Sequence, residues 1–503
     1  MMGVLVILPL LIPLFAAIFC LLSWKNINGQ RMIVLAGSFL LLVGSAFLLR
    51  EVWLHGIQVM QIGNWPAPFG ITLVADLLSA GLLLTTSLLG IFVFIFSIPN
   101  INLERKEYGF YPILMFLLFG ISGALLAGDI FNLYVWFEVM LMSSFVLLSL
   151  GGTKNQLEGS VKYLVINFLA SSIFLAGIGV IYGLTGSLNM AQISLLLPEI
   201  ADKGLVTLAA IFFLVGFGIK AGLFPLFFWL PAAYHTPPSA ITAIIGGLLT
   251  KVGVYVLVRF FTLIFFSEVP YLQPYLFVIA GLTMFVGVFG AIAQNDFRKI
   301  LSFSIISQIG YMIMGLAIHT PLAIAAVVYF IIHNMLVKTN LFLISGVVYA
   351  AAGSFKLKKL GSIYAKFPFI AFLFIISAFS LTGVPPLSGF WAKFLLIKAA
   401  VASNYFIIVG VALVVSALSI IYITKIWNEV FWKKAPDGEG SEKIFYNQTS
   451  FLRLNRLLIL PVVLLTIIIV AMGFYAEPFL DFSVQAAEQL FNRDNYIKVI
   501  LRK

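Results

Sequence analysis

Lys220 and Lys251 lie inside two consecutive apolar stretches between residues 205 and 260, a segment without a single acidic residue. A lysine at the centre of a bilayer costs about 2.5–3.5 kcal/mol on insertion scales. The pattern recurs along the chain. Glu138 sits in DIFNLYVWFEVMLMSSF with no basic residue beside it, His333 and Lys338 share HNMLVKTNLF, and Lys393 follows the sequence TGVPPLSG. One carboxylate, four lysines and one histidine at membrane depth are suited to one chemistry: taking up, passing on and releasing protons.

Each residue also has a plainer reading. Glu138 is expected either to be protonated against a neighbouring backbone or to pair with a lysine of another span, with Lys220 the first candidate. For Lys220 the alternative is snorkelling to the interface. Pro225 and Pro231 weaken the helix just beyond it, however, and a broken helix exposes carbonyls that membranes tolerate only beside protein or water. A hydrated cavity is therefore expected there. Lys251, Tyr255 and Arg259 fall on one helical stripe, with Arg259 near enough to the helix end to snorkel. His333 and Lys338 point about 140° apart in a regular helix. A π-bulge would bring both to one water wire, with Asn334 and Asn340 helping to satisfy it; a purely structural histidine is the alternative. Lys393 stands beside a second proline break, Pro385–Pro386, while Lys398 is expected to snorkel.

These residues need a membrane-embedded frame, and composition supplies one. Of 503 residues, 62% are hydrophobic and 10% charged, and the mean hydropathy is +1.11. An all-α integral membrane protein follows. Apolar runs of about 18–25 residues mark roughly fourteen spans. They lie near 3–23, 32–50, 73–97, 111–127, 130–150, 161–184, 205–228, 240–264, 274–293, 300–318, 322–352, 368–398, 404–431 and 457–475. The seventh and twelfth are broken by proline. Residues 51–72 are too polar to span; GIQVMQIG and FGITLV around NWPAP predict a small β-hairpin. Residues 433–456, with DGEGSEK, predict a flexible loop. Basic residues gather in the loops after odd-numbered spans, so the positive-inside rule places those loops in the cytoplasm and the N-terminus outside. Arg493, Lys498, Arg502 and Lys503 in the tail run against that pattern, which suggests either a surface-lying C-terminal helix or a span count that is off by one.

Several functions are disfavoured. The +11 net charge is scattered through short loops, which argues for membrane orientation and against nucleic acid. One cysteine, Cys20, and four dispersed histidines leave no thiolate metal site, iron–sulfur cluster or haem attachment, so no cofactor is expected. The first charge, Lys25, follows the first apolar run rather than preceding it, which fits a retained span better than a signal peptide. A hard-cation site wants several oxygen ligands. Asp76, Ser143 and Ser144 are candidates, each equally readable as structural, and the metal-ligand set stays open.

Five stretches taken in order, FNLYVWFEVM, GIKAGLFPLFFWLPAAY, LLTKVGVY, HNMLVKTNLFLISG and LTGVPPLSGFWAKF, resemble the antiporter-like subunits shared by respiratory complex I and the Mrp-type multisubunit cation/proton antiporters. The resemblance covers nearly the whole chain. Lys251 in LLTKVGVY, Lys393 and the absence of a C-terminal extension point to the Mrp branch. It implies two inverted five-helix units, 111–264 and 274–431, behind N-terminal helices and the hairpin in 1–110 and before a loop, last helix and tail in 432–503. It also implies that Glu138 and Lys220 form a switchable pair and that Lys251, His333, Lys338 and Lys393 relay protons along the membrane midplane. Implied partners are the other subunits of a hetero-oligomeric antiporter in the plasma membrane, with H+ and Na+ as transported ions. A proton-pumping subunit of complex I or a membrane-bound hydrogenase is the alternative.

Overall fold

The chain is described by a computed structural model covering residues 2–436, 451 and 455–502. Most of the expected flexible loop at 433–456 lies outside these residues. Helix α1 (Met2–Leu22) packs on α2 (Ile27–His55), which Asn26 caps by accepting from Gly29 N. The hairpin follows as strands β1 (Gln58–Gln61) and β2 (Thr72–Ala75), antiparallel, with Gln58 opposite Ala75 and Gln61 opposite Thr72. Thus the third span does not begin at 73 as its hydropathy suggests. Residues 72–75 are strand, and Asp76 then caps α3 (Leu77–Asn100), its Oδ1 accepting from Ser79 N at 2.9 Å.

Next come α4 (Phe110–Leu126), α5 (Ile130–Ser149), α6 (Lys154–Thr185) and α7 (Lys203–Ala221). They are followed by α8 (Ser239–Leu263), α9 (Val269–Ala293), α10 (Phe297–Ile318) and α11 (Pro321–Ala352). The series closes with α12 (Pro368–Thr382), α13 (Ser388–Ala402), α14 (Phe406–Ile426), α15 (Arg456–Phe474), α16 (Ala476–Phe491) and α17 (Arg493–Leu501). Among the described residues twelve helices are long and apolar enough to cross a membrane, and α4 and α12 are shorter apolar helices. They correspond in number and order to the fourteen runs read from the sequence, with the boundaries shifted by a few residues. The core is α8, with every residue buried, flanked by α10 and α11, which are nearly as enclosed.

Both expected breaks are present. Helix α7 stops at Ala221 because Gly222 adopts φ +86°, and α12 stops at Thr382 because Gly383 adopts φ +91°, left-handed conformations that glycine takes without strain. Each break continues through a cis proline, Pro225 or Pro386, into a further helical segment, Trp229–Ala233 or α13. Two connections also match. Asp129 bridges Asn189 with Ile130 N donating to Leu188 O at 2.9 Å, and Asp296 bridges Lys356 with Phe297 N donating to Phe355 O at 3.0 Å. Each aspartate caps the helix it precedes. Counting the crossings, the first connection lies at the hairpin end of the bundle and the second at the opposite end.

The tail forms α16 and α17 and folds back over the hairpin end. Gln489 accepts from Leu77 N at 2.7 Å, and Arg493 stacks on Phe266 at 3.4 Å while donating to Ser194 O. An amphipathic helix seated on the bundle accounts for basic residues at the face where charge counting disfavours them.

Candidate functional site

All four lysines are enclosed. Lys220, Lys251, Lys338 and Lys393 are 5%, 1%, 0% and 5% exposed, and His333 is 0% exposed. None of these lysines has a carboxylate oxygen within 4.0 Å among the described residues. Their partners are neutral oxygens instead.

Lys220 occupies the last turn of α7, where free backbone carbonyls favour a cation. Its Nζ donates to Ser171 Oγ of α6 at 3.0 Å and lies 5.1 Å from the centre of the Phe137 ring. The expected contact with Glu138 is not made. Glu138 is half-buried and remains within electrostatic influence of Lys220, with its Oε1 enclosed and free of hydrogen bonds among the described residues. The reason lies in the helix: Phe137 turns toward Lys220, and Glu138 is rotated about 100° from it on α5. Beside Lys220 is a cavity of ≈ 10 Å³ lined by Phe137, Tyr163, Asn167, Trp229 and Leu249. That is the lower end of the ~10–15 Å³ one water needs. Gly253 of α8 lets this break approach closely, since a Cβ there would meet Ala221 N at 3.0 Å and Lys220 C at 3.3 Å.

Lys251 donates to Gly246 O at 2.8 Å within α8. The stripe above it differs from expectation. Tyr255 donates to Leu125 O at 2.8 Å, and Arg259 does not snorkel: it is buried in an ion pair with Asp76 and lies over the rings of Tyr255 and Tyr496. Asp76, a candidate cation ligand on sequence grounds, is thereby occupied. Ser143 and Ser144 are also engaged, with Val139 O and with Leu141 O and Tyr163.

No π-bulge reconciles His333 with Lys338, because α11 is regular α-helix throughout. The two side chains serve different neighbours, as their angular separation requires. His333 Nδ1 meets Ser388 Oγ at 2.9 Å, which meets Ser380 Oγ at 2.9 Å beside the second break. Lys338 donates to Ser304 Oγ of α10 and lies within electrostatic reach of both Lys251 and Lys393. Lys393 donates to Thr382 O at 2.7 Å and Ser416 Oγ at 3.0 Å, over the Tyr311 ring. Asn340 bonds Ser377 and Thr466, whereas Asn334 has no partner among the described residues. The serines that meet these groups, Ser171, Ser304, Ser388 and Ser416, carry no signal in the sequence. A hydroxyl is common in apolar helices, and only its position marks it.

At the end opposite the hairpin a cavity of ≈ 720 Å³ is lined by His235, Gln294, Asp296, Arg298, Lys299 and other polar groups. Burial, reinforced by Lys299, pushes His235 down to about 4.

Residues 127–419 match the family described as NADH:quinone oxidoreductase/Mrp antiporter, TM. The chain is 45% identical over 502 residues to the D-type chain of a Na(+)/H(+) antiporter of Alkalihalophilus pseudofirmus, covering 100% of both chains. Its fold matches a chain of the Mrp complex from Dietzia sp. DQ12-45-1b with TM-score 0.92 and 29% identity, over 99% of this chain and 100% of that one. It matches a chain of an archaeal membrane-bound sulfane sulfur reductase with TM-score 0.89 and 25% identity, over 99% and 100%. The chain belongs to the membrane-subunit family that NADH:quinone oxidoreductase and the Mrp antiporters share.

Proposed function

We propose that this chain is the proton-translocating, D-type component of a multisubunit Na+/H+ antiporter of the plasma membrane. It is a transporter subunit rather than an enzyme. One observation carries the mechanism: among the described residues, four buried ammonium groups hydrogen-bond to hydroxyl and carbonyl oxygens and none has a carboxylate within 4.0 Å. A buried charge without a counter-charge is costly, so each lysine is poised to pass its proton to the next. Glu138 biases Lys220 across the α5–α7 gap without a fixed contact. The signal then runs through Lys251 and Lys338 to Lys393, with His333 linked to the second break through Ser388. The matched breaks and the matched connections at opposite ends of the bundle support two inverted units, 111–264 and 274–431, each contributing one break. Positive-inside counting supports a cytoplasmic side opposite the hairpin and an N-terminus outside.

The redox-complex reading rests on a match at 25% identity, against 45% for the antiporter chain, and the antiporter reading is preferred. Neighbouring genes separate the two: small membrane subunits accompany an antiporter, iron–sulfur and flavin subunits a redox pump. The direct test is Na+/H+ exchange in vesicles carrying the whole complex with Glu138→Ala or Lys220→Ala. Undiminished exchange in both would remove these residues from the mechanism.

A further inference from the structure

Helices α10 and α11 are antiparallel neighbours joined only by His319 and Thr320. On α10, Ser304, Gln308 and Tyr311 follow helical spacing and share one stripe; on α11, Phe330, Asn334 and Lys338 do the same. The two stripes face each other. Lys338 donates to Ser304 Oγ at one level, and Tyr311 and Phe330 meet edge-on with ring centres 5.8 Å apart two turns away. Gln308 and Asn334 occupy the level between these contacts.

That middle level is where the two stripes leave polar atoms over. Gln308 is 1% exposed and Asn334 0% exposed, and none of their four amide nitrogen and oxygen atoms has a hydrogen-bond partner among the described residues. The Tyr422 hydroxyl lies alongside Ser304 and Gln308 without an aligned bond to either. Buried polar groups are nearly always satisfied, by protein or by ordered water. Two amides present both donors and acceptors, which is the valence of water. A metal cation would instead meet amide N–H groups and, at the adjoining level, Lys338. The level also has charged neighbours on both sides: Lys338 is bonded at one, and the Lys393 ammonium lies 5.2 Å from the Tyr311 ring at the other.

We propose that Gln308 and Asn334 hold water between Lys338 and Lys393 and are the positioning residues for proton transfer between those two groups. This rests on the reading that the lysines carry protons. In the transfer the Lys338 ammonium gives a proton to the adjoining water, and that water releases another to the neutral Lys393 amine. Lys338 ends neutral, Lys393 ends charged, and the water is restored. The amides exchange no proton themselves.

The test uses the assembled complex in vesicles, comparing exchange in H2O and D2O. Replacing both buried amides by apolar side chains removes the unpaired groups together, which need not destabilise a core, so Gln308→Leu with Asn334→Leu is expected to assemble. Exchange is expected to fall about tenfold or more, corresponding to about 1.4 kcal/mol in the barrier, with a larger H2O/D2O ratio than in the wild type. Gln308→Asn and Asn334→Ser, which keep polar atoms at the level, are expected to retain most of the rate. Wild-type rate and isotope ratio in the double leucine variant would overturn the proposal. If Lys338→Ala and Lys393→Ala are inactive in the same assay, the relay itself stands; if they exchange normally, the relay falls instead. Should the leucine variant not assemble, a density map of the wild-type complex decides. Water between the two amides supports the proposal, and direct amide-to-amide contact overturns it.

Discussion

Lys220 rests on Ser171, not on Glu138. The ammonium is 3.0 Å from the serine hydroxyl, and the carboxylate on the neighbouring helix keeps an enclosed oxygen free of any bond among the described residues. A fixed ion pair would hold both charges in place, because removing one partner from a buried pair costs about 3–5 kcal/mol. A near neighbour that does not touch can bias Lys220 while leaving its proton free to move.

Changing Glu138 to Gln therefore tests charge apart from shape. Exchange by the assembled complex is expected to drop by about tenfold or more, while the yield of complex isolated through a tagged partner subunit stays at the wild-type level. A purely structural Glu138 would instead lower the yield.

Arg259 and Asp76 behave differently, since they do form a buried ion pair and Tyr496 of the tail closes over it. Arg259→Leu or Asp76→Asn alone leaves a buried charge unpaired and is expected to destabilise the complex by about 3–5 kcal/mol. Combining them restores part of the loss. Thermal denaturation of the purified complex reads both effects; equal stability of single and double variants would mean the pair carries no weight.

Gly389 tests packing around His333 without removing a titratable group. A Cβ there would stand 1.7 Å from Ser380 O and 3.1 Å from His333 Cε1. Gly389→Ala is expected to force α13 away from α12 and separate Ser388 from His333, lowering exchange while His333 itself is intact. Exchange at the wild-type rate would show that the His333–Ser388 contact is dispensable.

His235 sets an acid limit. Its pKa is pushed from an ordinary value near 6.5 down to about 4, by burial first and by Lys299 next, with Arg298 adding to this and Asp296 opposing it. The folded state thus binds fewer protons than the unfolded one between these values. The stabilisation is complete above about pH 6.5 and is lost as pH falls toward 4. His235→Asn is expected to flatten that part of the stability profile, measured as melting temperature against pH. An unchanged slope would mean the imidazole is not held neutral.

The membrane frame was legible in the sequence because hydropathy is a sum over many residues, and no single misreading shifts it. The two breaks were legible from Pro225, Pro231, Pro385 and Pro386 because proline acts locally, whereas the glycines that end the helices, Gly222 and Gly383, are fixed only by the structure. Partners were not legible. Arg259 looked free to snorkel because Asp76, far away in sequence, gave no sign of its position beside it. Gln308 and Ser304 carry no sequence signal because neutral polar residues are ordinary in spans, and only the α10–α11 register places them beside Lys338. The π-bulge was unnecessary because His333 and Lys338 have separate partners, which spacing within one helix does not reveal.

Lys338 tests the account most directly, for it lies in the enclosed core within reach of both Lys251 and Lys393. The measurement is Na+/H+ exchange by the complete complex, purified with all its subunits and reconstituted into vesicles, with Lys338→Ala. The account predicts exchange reduced by about tenfold or more with an unchanged subunit composition. Wild-type exchange from a fully assembled Lys338→Ala complex would contradict it.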